Sequence, residues 1–253
     1  GAIGGLKTSN DGTDAAHDIN IAVGFARDYA DAAELVLASA LIKQIDATWA
    51  VGTNAGGLDT GTVGASTGYG VYLIRRSDTG VVDVMFSLDM TSSLATGTKP
   101  TNYDEWRLIG WVLTDASSNL LSFIQTGDFF QIMANPPRWL TDSTITNVTF
   151  ETVTLPTPPL CLAEITASIL NSTTTEFQYW LSVKTKGSAA GGNSQLEAWI
   201  HIDTHGAFDA IGCKGTIFVN SDSQIEYETR ESSGSSTVYV EGTGCNMLTR
   251  SNP

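Results

Sequence analysis

The segments Tyr69–Arg76 (YGVYLIRR) and Val81–Ser87 (VVDVMFS) flank the short segment Ser77–Gly80 (SDTG). Both flanking segments are rich in β-branched and aromatic residues, which favour strands. Asp and Gly in the segment between them are typical of tight turns. The stretch therefore predicts an antiparallel β-hairpin, the clearest local structural signal in the chain.

The same type of pattern continues on both sides of this hairpin. Tyr103–Thr114 (YDEWRLIGWVLT) and Asn119–Gln125 (NLLSFIQ) flank Asp115–Ser118 and predict a second hairpin. Upstream, His17–Arg27 alternates apolar and small or polar residues, as expected of one half-buried strand. Its apolar residues of one parity are Ile19, Ile21, Val23 and Phe25.

Short β-rich segments recur over the rest of the chain, and long helical apolar faces are absent from the sequence. A short helical turn within Asp28–Leu37 and a strand over Glu34–Ala38 both remain open, and the Gly-rich Gly52–Gly70 predicts a long loop. The other predicted strands are Asp128–Met133, Thr146–Leu155, Cys161–Leu170, Glu176–Thr185, Gln195–Asp203, Thr216–Val219, Gln224–Thr229 and Thr237–Glu241. We expect an all-β fold, a two-sheet sandwich or jelly roll of a dozen or more short antiparallel strands.

Length and composition favour one large β domain. The chain has 253 residues and is 42% hydrophobic, which suffices for a substantial core. We predict a single domain over residues 1–253, with a lobe boundary near residues 155–160 as the alternative, because Leu155–Pro159 (LPTPP) is rich in proline. The chain begins Gly1-Ala2 without methionine, and we expect further sequence upstream.

Charge and cysteine content exclude several classes of function. The net charge is −14 and the pI about 4.4, so no basic face for nucleic acid is expected. No apolar run approaches the ~20 residues that span a bilayer, and we predict no membrane insertion. The cysteines, Cys161, Cys213 and Cys245, predict buried free thiols, with one disulfide as the alternative. Such cysteine usage fits folding in a bacterial cytoplasm.

A family resemblance rests on several blocks in the first half of the chain. The specific parts are Trp49–Gly61 and Asp78–Ser87, since runs of that length are improbable by chance. The full set comprises Gly5–Leu6, Asn10–Ala15, Asp18–Ala22, Ile45–Asn54, Gly56–Gly61, Val71–Arg76, Asp78–Ser87, Arg107–Gly110, Thr114–Asp115 and Gln125–Asp128. These residues resemble a recurrent virion structural domain of bacteriophages and prophages, of the tail-fibre type. Ser77 and Tyr103–Trp106 depart from that pattern.

The resemblance implies a structural part of a virion, at the tail or elsewhere on the particle surface. We expect other virion proteins as partners, attachment to a bacterial surface glycan or protein and, by analogy with fibre ends, a homotrimer. The alternative is a capsid or collar decoration protein that binds virion proteins and no sugar. A glycan depolymerase is a lesser alternative.

Candidate ligand residues cluster around Trp106. Its ring lies in sequence among Asp104, Glu105 and Arg107, a mixture of apolar ring and polar groups typical of carbohydrate sites. Trp139 is a second candidate for a surface ligand. Core packing is the competing interpretation, because most tryptophans of β-sandwiches lie in or near the core.

The candidate metal ligands are His201, Asp203 and His205, which alternate along a predicted strand and would share one face. An ordinary solvated strand face is the simpler interpretation. The acidic segment Asn10–Asp18 lacks the spacing of a calcium loop, and an Asx-type turn explains it. No catalytic motif is recognisable, so we expect a non-enzymatic protein without cofactors.

Overall fold

The structure, a computed structural model, describes residues 1–133, 138–142, 150–171, 178–188, 202–203, 210–231 and 236–247. These residues form twenty β-strands and no helix, which confirms the all-β fold class and excludes a membrane-spanning helix among them. The strands are β1 (Ile3–Gly5), β2 (Thr8–Asn10), β3 (Asp18–Ile21), β4 (Gly24–Arg27), β5 (Glu34–Leu37), β6 (Leu41–Thr48), β7 (Ala55–Leu58), β8 (Gly68–Arg76), β9 (Val82–Ser87), β10 (Tyr103–Leu113), β11 (Phe123–Thr126), β12 (Phe129–Ile132), β13 (Arg138–Asp142), β14 (Glu151–Thr154), β15 (Leu162–Asn171), β16 (Gln178–Thr185), β17 (Ile202–Asp203), β18 (Ala210–Phe218), β19 (Gln224–Glu231) and β20 (Ser236–Asn246).

The chain divides into two compact units. The first comprises Gly1–Asn135, Pro156–Pro158 and Asn246–Pro253, and the second Pro136–Leu155 and Pro159–Cys245. The proline-rich segment near residue 155 is thus one of the places where the chain passes between units. A single folding domain over 1–253 stays a prediction.

A seven-stranded sheet of order β10-β8-β9-β7-β6-β3-β2 dominates the first unit. Its β6–β7 and β7–β9 pairs are parallel, and the other pairs in this sheet are antiparallel. The first unit also contains the sheet β1-β4-β5 and the hairpin β11–β12. Its largest fully buried side chains include Trp111, Tyr69, Tyr72, Phe86 and Phe130, which form an aromatic-rich core.

The second unit is built from long antiparallel strands. In it β15 pairs with β18 and β13 with β20, while β14, β19, β16 and β17 form a four-stranded sheet in that order. Burial alternates along β15, where Ala163, Ile165, Ala167 and Ile169 are buried and the residues between them are half-exposed. This period of two is that of a strand with one face on a core.

The predicted central hairpin is confirmed. Strands β8 and β9 pair in antiparallel fashion from Gly70 opposite Ser87 to Arg75 opposite Val82. In the turn, Gly80 N donates a hydrogen bond to Arg76 O, and Arg76 N donates to Val81 O. Gly80 has φ +73°. Glycine adopts that left-handed conformation without steric cost.

The predicted second hairpin is only partly correct. Its turn exists, since Ser118 N donates to Asp115 O at 3.1 Å and Thr114 bridges Leu120. Beyond that bridge the chain leaves β10, and β11 pairs with β12 instead. Local alternation identified the strands correctly but did not identify their partners.

The single strand predicted over His17–Arg27 is wrong, because the chain breaks into β3 and β4 in different sheets. Val23 and Phe25, expected on the buried face, are 53% and 40% exposed. Gly24 permits the change of sheet, since a Cβ there would lie 2.3 Å from the carbonyl oxygen of Gly4. Only glycine tolerates such a close backbone approach.

Two further segments resolve into strands. Glu34–Leu37 is β5, which settles the choice between helical turn and strand. The predicted loop Gly52–Gly70 is wrong in its first part, because Ala55–Leu58 forms β7 at the centre of the seven-stranded sheet. A Cβ at Gly56 would lie 2.1 Å from the carbonyl oxygen of Thr48, so this strand requires a residue type that strands normally avoid.

Candidate functional site

An open groove of about 500 Å³ lies in the first unit, beside the turn of the central hairpin. Its volume falls within the range of small-molecule sites, ~300–1,000 Å³. The lining residues come from the loop after β6, both ends of the hairpin turn, the loop before β10 and the start of β10. They are Trp49, Val51, Arg76, Val81, Pro100, Thr101 and Tyr103.

Sheet register brings the hairpin and β10 together at the groove. Tyr103 lies opposite Arg76 in the β10–β8 pair, and Arg76 N donates to Val81 O at 3.0 Å. The polar and apolar groups of these three residues therefore meet at the end of regular pairing. Such loop ends on a paired scaffold are common positions for binding residues.

Trp49 and Tyr103 form the aromatic part of the groove. Their ring centroids are 5.1 Å apart with an interplanar angle of 70°, an edge-to-face arrangement that aromatic pairs favour. Trp49 is half-buried, and its Nε1 donates to Val84 O at 3.0 Å, which fixes the orientation of the indole. Among the described residues, no hydrogen bond reaches Tyr103 Oη. Burial raises the pKa of Tyr103, so this hydroxyl stays protonated and can donate.

A buried ion pair supports the loop that carries Trp49. Lys43 Nζ lies 3.0 Å from Asp83 Oδ1, with the two side chains 0% and 1% exposed. Lys43 also donates to Ala50 O at 2.6 Å and Gly52 O at 3.2 Å, and Asp83 Oδ2 accepts from Gly52 N at 2.7 Å. The pair thus holds both strands and the loop between Trp49 and Gly52. Burial lowers the pKa of Lys43, and the charge of Asp83 opposes that shift.

A second buried carboxylate, that of Asp89, organises the loop that ends at Pro100 and Thr101. It accepts hydrogen bonds from the backbone N–H groups of Thr91, Thr96 and Gly97 and from both threonine hydroxyls. Burial acts to raise the pKa of Asp89, but these hydrogen bonds outweigh it and the pKa is lowered. The Asp89 carboxylate therefore ties together three backbone positions of the loop that forms this wall of the groove.

The cations at the groove are paired with carboxylates. Arg76 donates from Nε and Nη2 to the two oxygens of Asp78, at 2.9 and 2.7 Å, and this bond raises the pKa of Arg76. Arg75 forms an ion pair with Glu105 across the β8–β10 pair. Asp104 accepts from the backbone N–H and the hydroxyl of Ser77, at 2.9 and 2.6 Å.

The structure places the predicted cluster around Trp106 next to the groove but not in its lining. Trp106 stacks with Tyr29 at 6.2 Å and 10°, Lys99 Nζ lies 4.3 Å from its ring centroid, and its Nε1 donates to Ser92 O. Arg107 is buried and donates to Gly1 O at 3.1 Å. Glu105 and Asp104 instead attach β10 to the hairpin. A ligand at Trp106 stays a prediction.

The other predicted site residues lie in the second unit. Trp139 packs directly over Gly242, and its Nε1 is buried without a hydrogen-bond partner among the described residues. Of the proposed metal ligands, Asp203 belongs to β17, while His201 and His205 lie outside the described residues. Over the described part of the chain, no group of three or more metal-ligating side chains occurs.

The acidic segment near the N-terminus forms a turn, as the Asx interpretation predicts. Asp11 Oδ2 accepts from Thr13 N at 2.7 Å and Asp14 N at 3.2 Å, and these bonds lower the pKa of Asp11. Asp14 lies 3.1 Å from His17 Nδ1. The carboxylates are therefore occupied by hydrogen bonds within the turn.

Comparison with known proteins gives little beyond this geometry. No family model and no curated protein matches the chain. Among solved structures, the chain is similar to a chain of "Structure of infectious bursal disease virus Gt strain" (10% identity, TM-score 0.24, 74% of this chain and 52% of that one). It is also similar to a chain of "Structure of infectious bursal disease virus Gx strain" (11% identity, TM-score 0.24, 94% and 69%). The chain spans about half the length of the first, and at these TM-scores neither likeness supports a conclusion.

The groove was not predicted from the sequence, although two of its lining residues stand in segments that the sequence analysis singles out. Trp49 stands in the block Trp49–Gly61 and Tyr103 before Trp106, 54 positions further along the chain. Their contact depends on the parallel strand β7, which the glycine content concealed. An available signal was Lys43, which shares one parity of β6 with the apolar Leu41, Ile45 and Ala47, because a buried cation requires a carboxylate partner.

Proposed function

We propose that the chain is a non-enzymatic structural module on the surface of a phage particle, and that its groove binds a bacterial surface glycan. The observation that carries the proposal is the edge-to-face contact of the Trp49 and Tyr103 rings at an open groove, where the hydroxyl of the buried Tyr103 has no hydrogen-bond partner among the described residues. The phage assignment rests on the sequence resemblance. A position at a tail-fibre end and a trimeric assembly belong to the same proposal.

The chemistry of the lining suits a pyranose ring. A sugar presents an apolar face of C–H groups, which packs on an indole, and an equatorial edge of hydroxyls, which need donors and acceptors. Tyr103 Oη, the Thr101 hydroxyl and the Arg76 guanidinium supply these around Trp49. Val51 and Val81, 61% and 43% exposed, extend the apolar surface.

The supporting interactions favour binding by a preformed site. The Lys43–Asp83 pair fixes the Trp49 loop, and Asp89 fixes the loop that ends at Thr101. A ligand then orders few protein groups on binding, so less of its contact energy is lost to conformational entropy. This arrangement suits a weak monomeric site used in several copies on one particle.

A conservative pair of tyrosine variants tests the proposal. Tyr103→Phe removes the hydroxyl in the groove, and Tyr29→Phe removes an exposed hydroxyl outside it as a matched control. A printed array of bacterial surface oligosaccharides identifies the best-bound glycan, and calorimetry then compares the variants. We expect Tyr103→Phe to weaken binding by ~3–10-fold, the effect of one hydrogen bond, and Tyr29→Phe to leave it unchanged.

Two results would contradict glycan binding at this groove. One is an array on which the wild-type protein is silent; cosedimentation with purified phage shells would then favour the decoration alternative. The other is equal affinity of Tyr103→Phe and wild type for the best glycan. Release of oligosaccharides from host capsule or lipopolysaccharide would overturn the non-enzymatic part and favour a depolymerase.

A further inference from the structure

We infer that the groove selects uncharged sugars over acidic ones, and that Asp78 is the residue that sets this preference. The inference rests on the proposed glycan binding and adds its substrate class. Arg76 is the sole cationic residue in the lining of the groove, and a guanidinium in a sugar site would ordinarily attract a carboxylate. Arg76 can attract a ligand carboxylate in this way only where its paired N–H donors are unoccupied.

Asp78 already occupies the edge of Arg76 that binds carboxylates. It accepts from Nε and Nη2 through separate oxygens at 2.9 and 2.7 Å, a bidentate geometry. The carboxylate of a uronic or sialic acid would require the same parallel pair of donors. Among the described residues no acceptor reaches Arg76 Nη1, so that nitrogen can still donate to neutral hydroxyls.

The neighbouring cations do not restore the attraction for a ligand carboxylate that Asp78 cancels at Arg76. Lys43 and Arg75 are each bound to a carboxylate, and the Lys99 ammonium lies over the Trp106 ring. Asp104 places a further negative charge beside the turn, on Ser77. The whole chain carries −14, which repels an acidic ligand during approach.

Matched oligosaccharides and one charge-neutralising variant test the inference. The probes are pairs that differ by one carboxylate, a hexose against the corresponding uronic acid, and affinities are measured by calorimetry at low and high NaCl. We expect wild type to bind the neutral member at least ~10-fold more tightly at low salt, with the ratio falling as salt screens the repulsion. Asp78→Asn keeps an acceptor for Arg76 and removes the charge.

The expected result for Asp78→Asn is stronger binding of the acidic member, by about fivefold or more, with the neutral member changed less than about twofold. The control is Glu34→Gln, which makes the same charge change at an exposed position of β5 outside the groove and should alter neither. Equal affinity of wild type for both members, or an unchanged ratio in Asp78→Asn, would overturn the inference while leaving glycan binding intact. If neither member binds, the proposed function fails, and the inference fails with it.

Discussion

The Lys43–Asp83 ion pair gives the sharpest stability prediction, because both side chains are fully buried. Replacing Lys43 with Met keeps the aliphatic length but leaves the Asp83 carboxylate without a cation. Breaking a buried pair by removing one partner costs about 3–5 kcal/mol. The upper part of that range is expected here, since Lys43 also donates to the carbonyls of Ala50 and Gly52.

This loss of free energy should lower the melting temperature of the first unit by about 6–20 °C, because each kcal/mol corresponds to ~2–4 °C for a chain of this size. Chemical denaturation gives the free energy directly. Hydrogen exchange of Gly52 N–H, which donates to Asp83 Oδ2 at 2.7 Å, reports the loop itself. Exchange at Gly52 should accelerate more than exchange at Leu73 N–H, in the middle of β8.

Matched variants show whether the loss of stability comes from breaking a buried ion pair or from changing a charge in general. Asp31→Asn removes the charge from an exposed ion pair with Arg27 and should leave the free energy of unfolding nearly unchanged. The double variant Lys43→Met/Asp83→Leu should be less destabilised than the sum of the two single variants, because each single variant leaves a lone buried charge and the double variant leaves none. If Lys43→Met costs less than about 1 kcal/mol, the pair does not support the loop and the preformed-site argument fails.

Two further predictions concern burial and pH. Cys161 and Cys245 are buried, and burial raises the pKa of Cys245, so in the native protein both thiols should resist iodoacetamide and react only in denaturant, as peptide mapping by mass spectrometry will show. Rapid native alkylation at either would contradict the packing of the second unit. The pKa of Asp89 is lowered from 3.8 in the fold, so its contribution is present above that value and lost as the pH falls through the folded pKa. The difference in urea midpoint between wild type and Asp89→Asn should therefore shrink below pH 3.8, and a difference constant down to pH 2 would show that the charge of Asp89 is irrelevant.

Local sequence signals predicted the strands well because period-two alternation and turn residues act over a few positions. The β8–β9 hairpin and the Asp11 turn are of this kind. Partner choice was harder, as the failure of the second hairpin shows. After the bridge to Leu120 the chain no longer pairs with β10, because β11 pairs with β12 and Phe123 lies opposite Ile132. The tertiary fold decides this choice of partner strand.

Glycine caused the largest errors in sequence interpretation. Gly24 and Gly56 lie where backbones approach too closely for any Cβ, in positions that determine which sheet a strand joins. A residue without a side chain gives no alternation, so Ala55–Leu58 was interpreted as loop although it lies between two parallel neighbours. The fold class could be predicted from the sequence because most strands carry side chains on a buried face. The order of the strands in the sheets depends on the few strands whose glycines carry none.

The groove and the ion pair beneath it follow from the same topological step. Because β7 lies between β6 and β9, the chain turns after Thr48, and that turn places Trp49 and Val51 at the groove while Ala50 and Gly52 direct carbonyls towards Lys43. Inward carbonyls need a donor, and Lys43 of β6 supplies it. The lysine in turn needs Asp83 of β9, two strands away in the sheet. A hydrophobic pair at these positions would leave the carbonyls unsatisfied, so the ion pair is the arrangement that allows the half-buried Trp49 indole to line the groove.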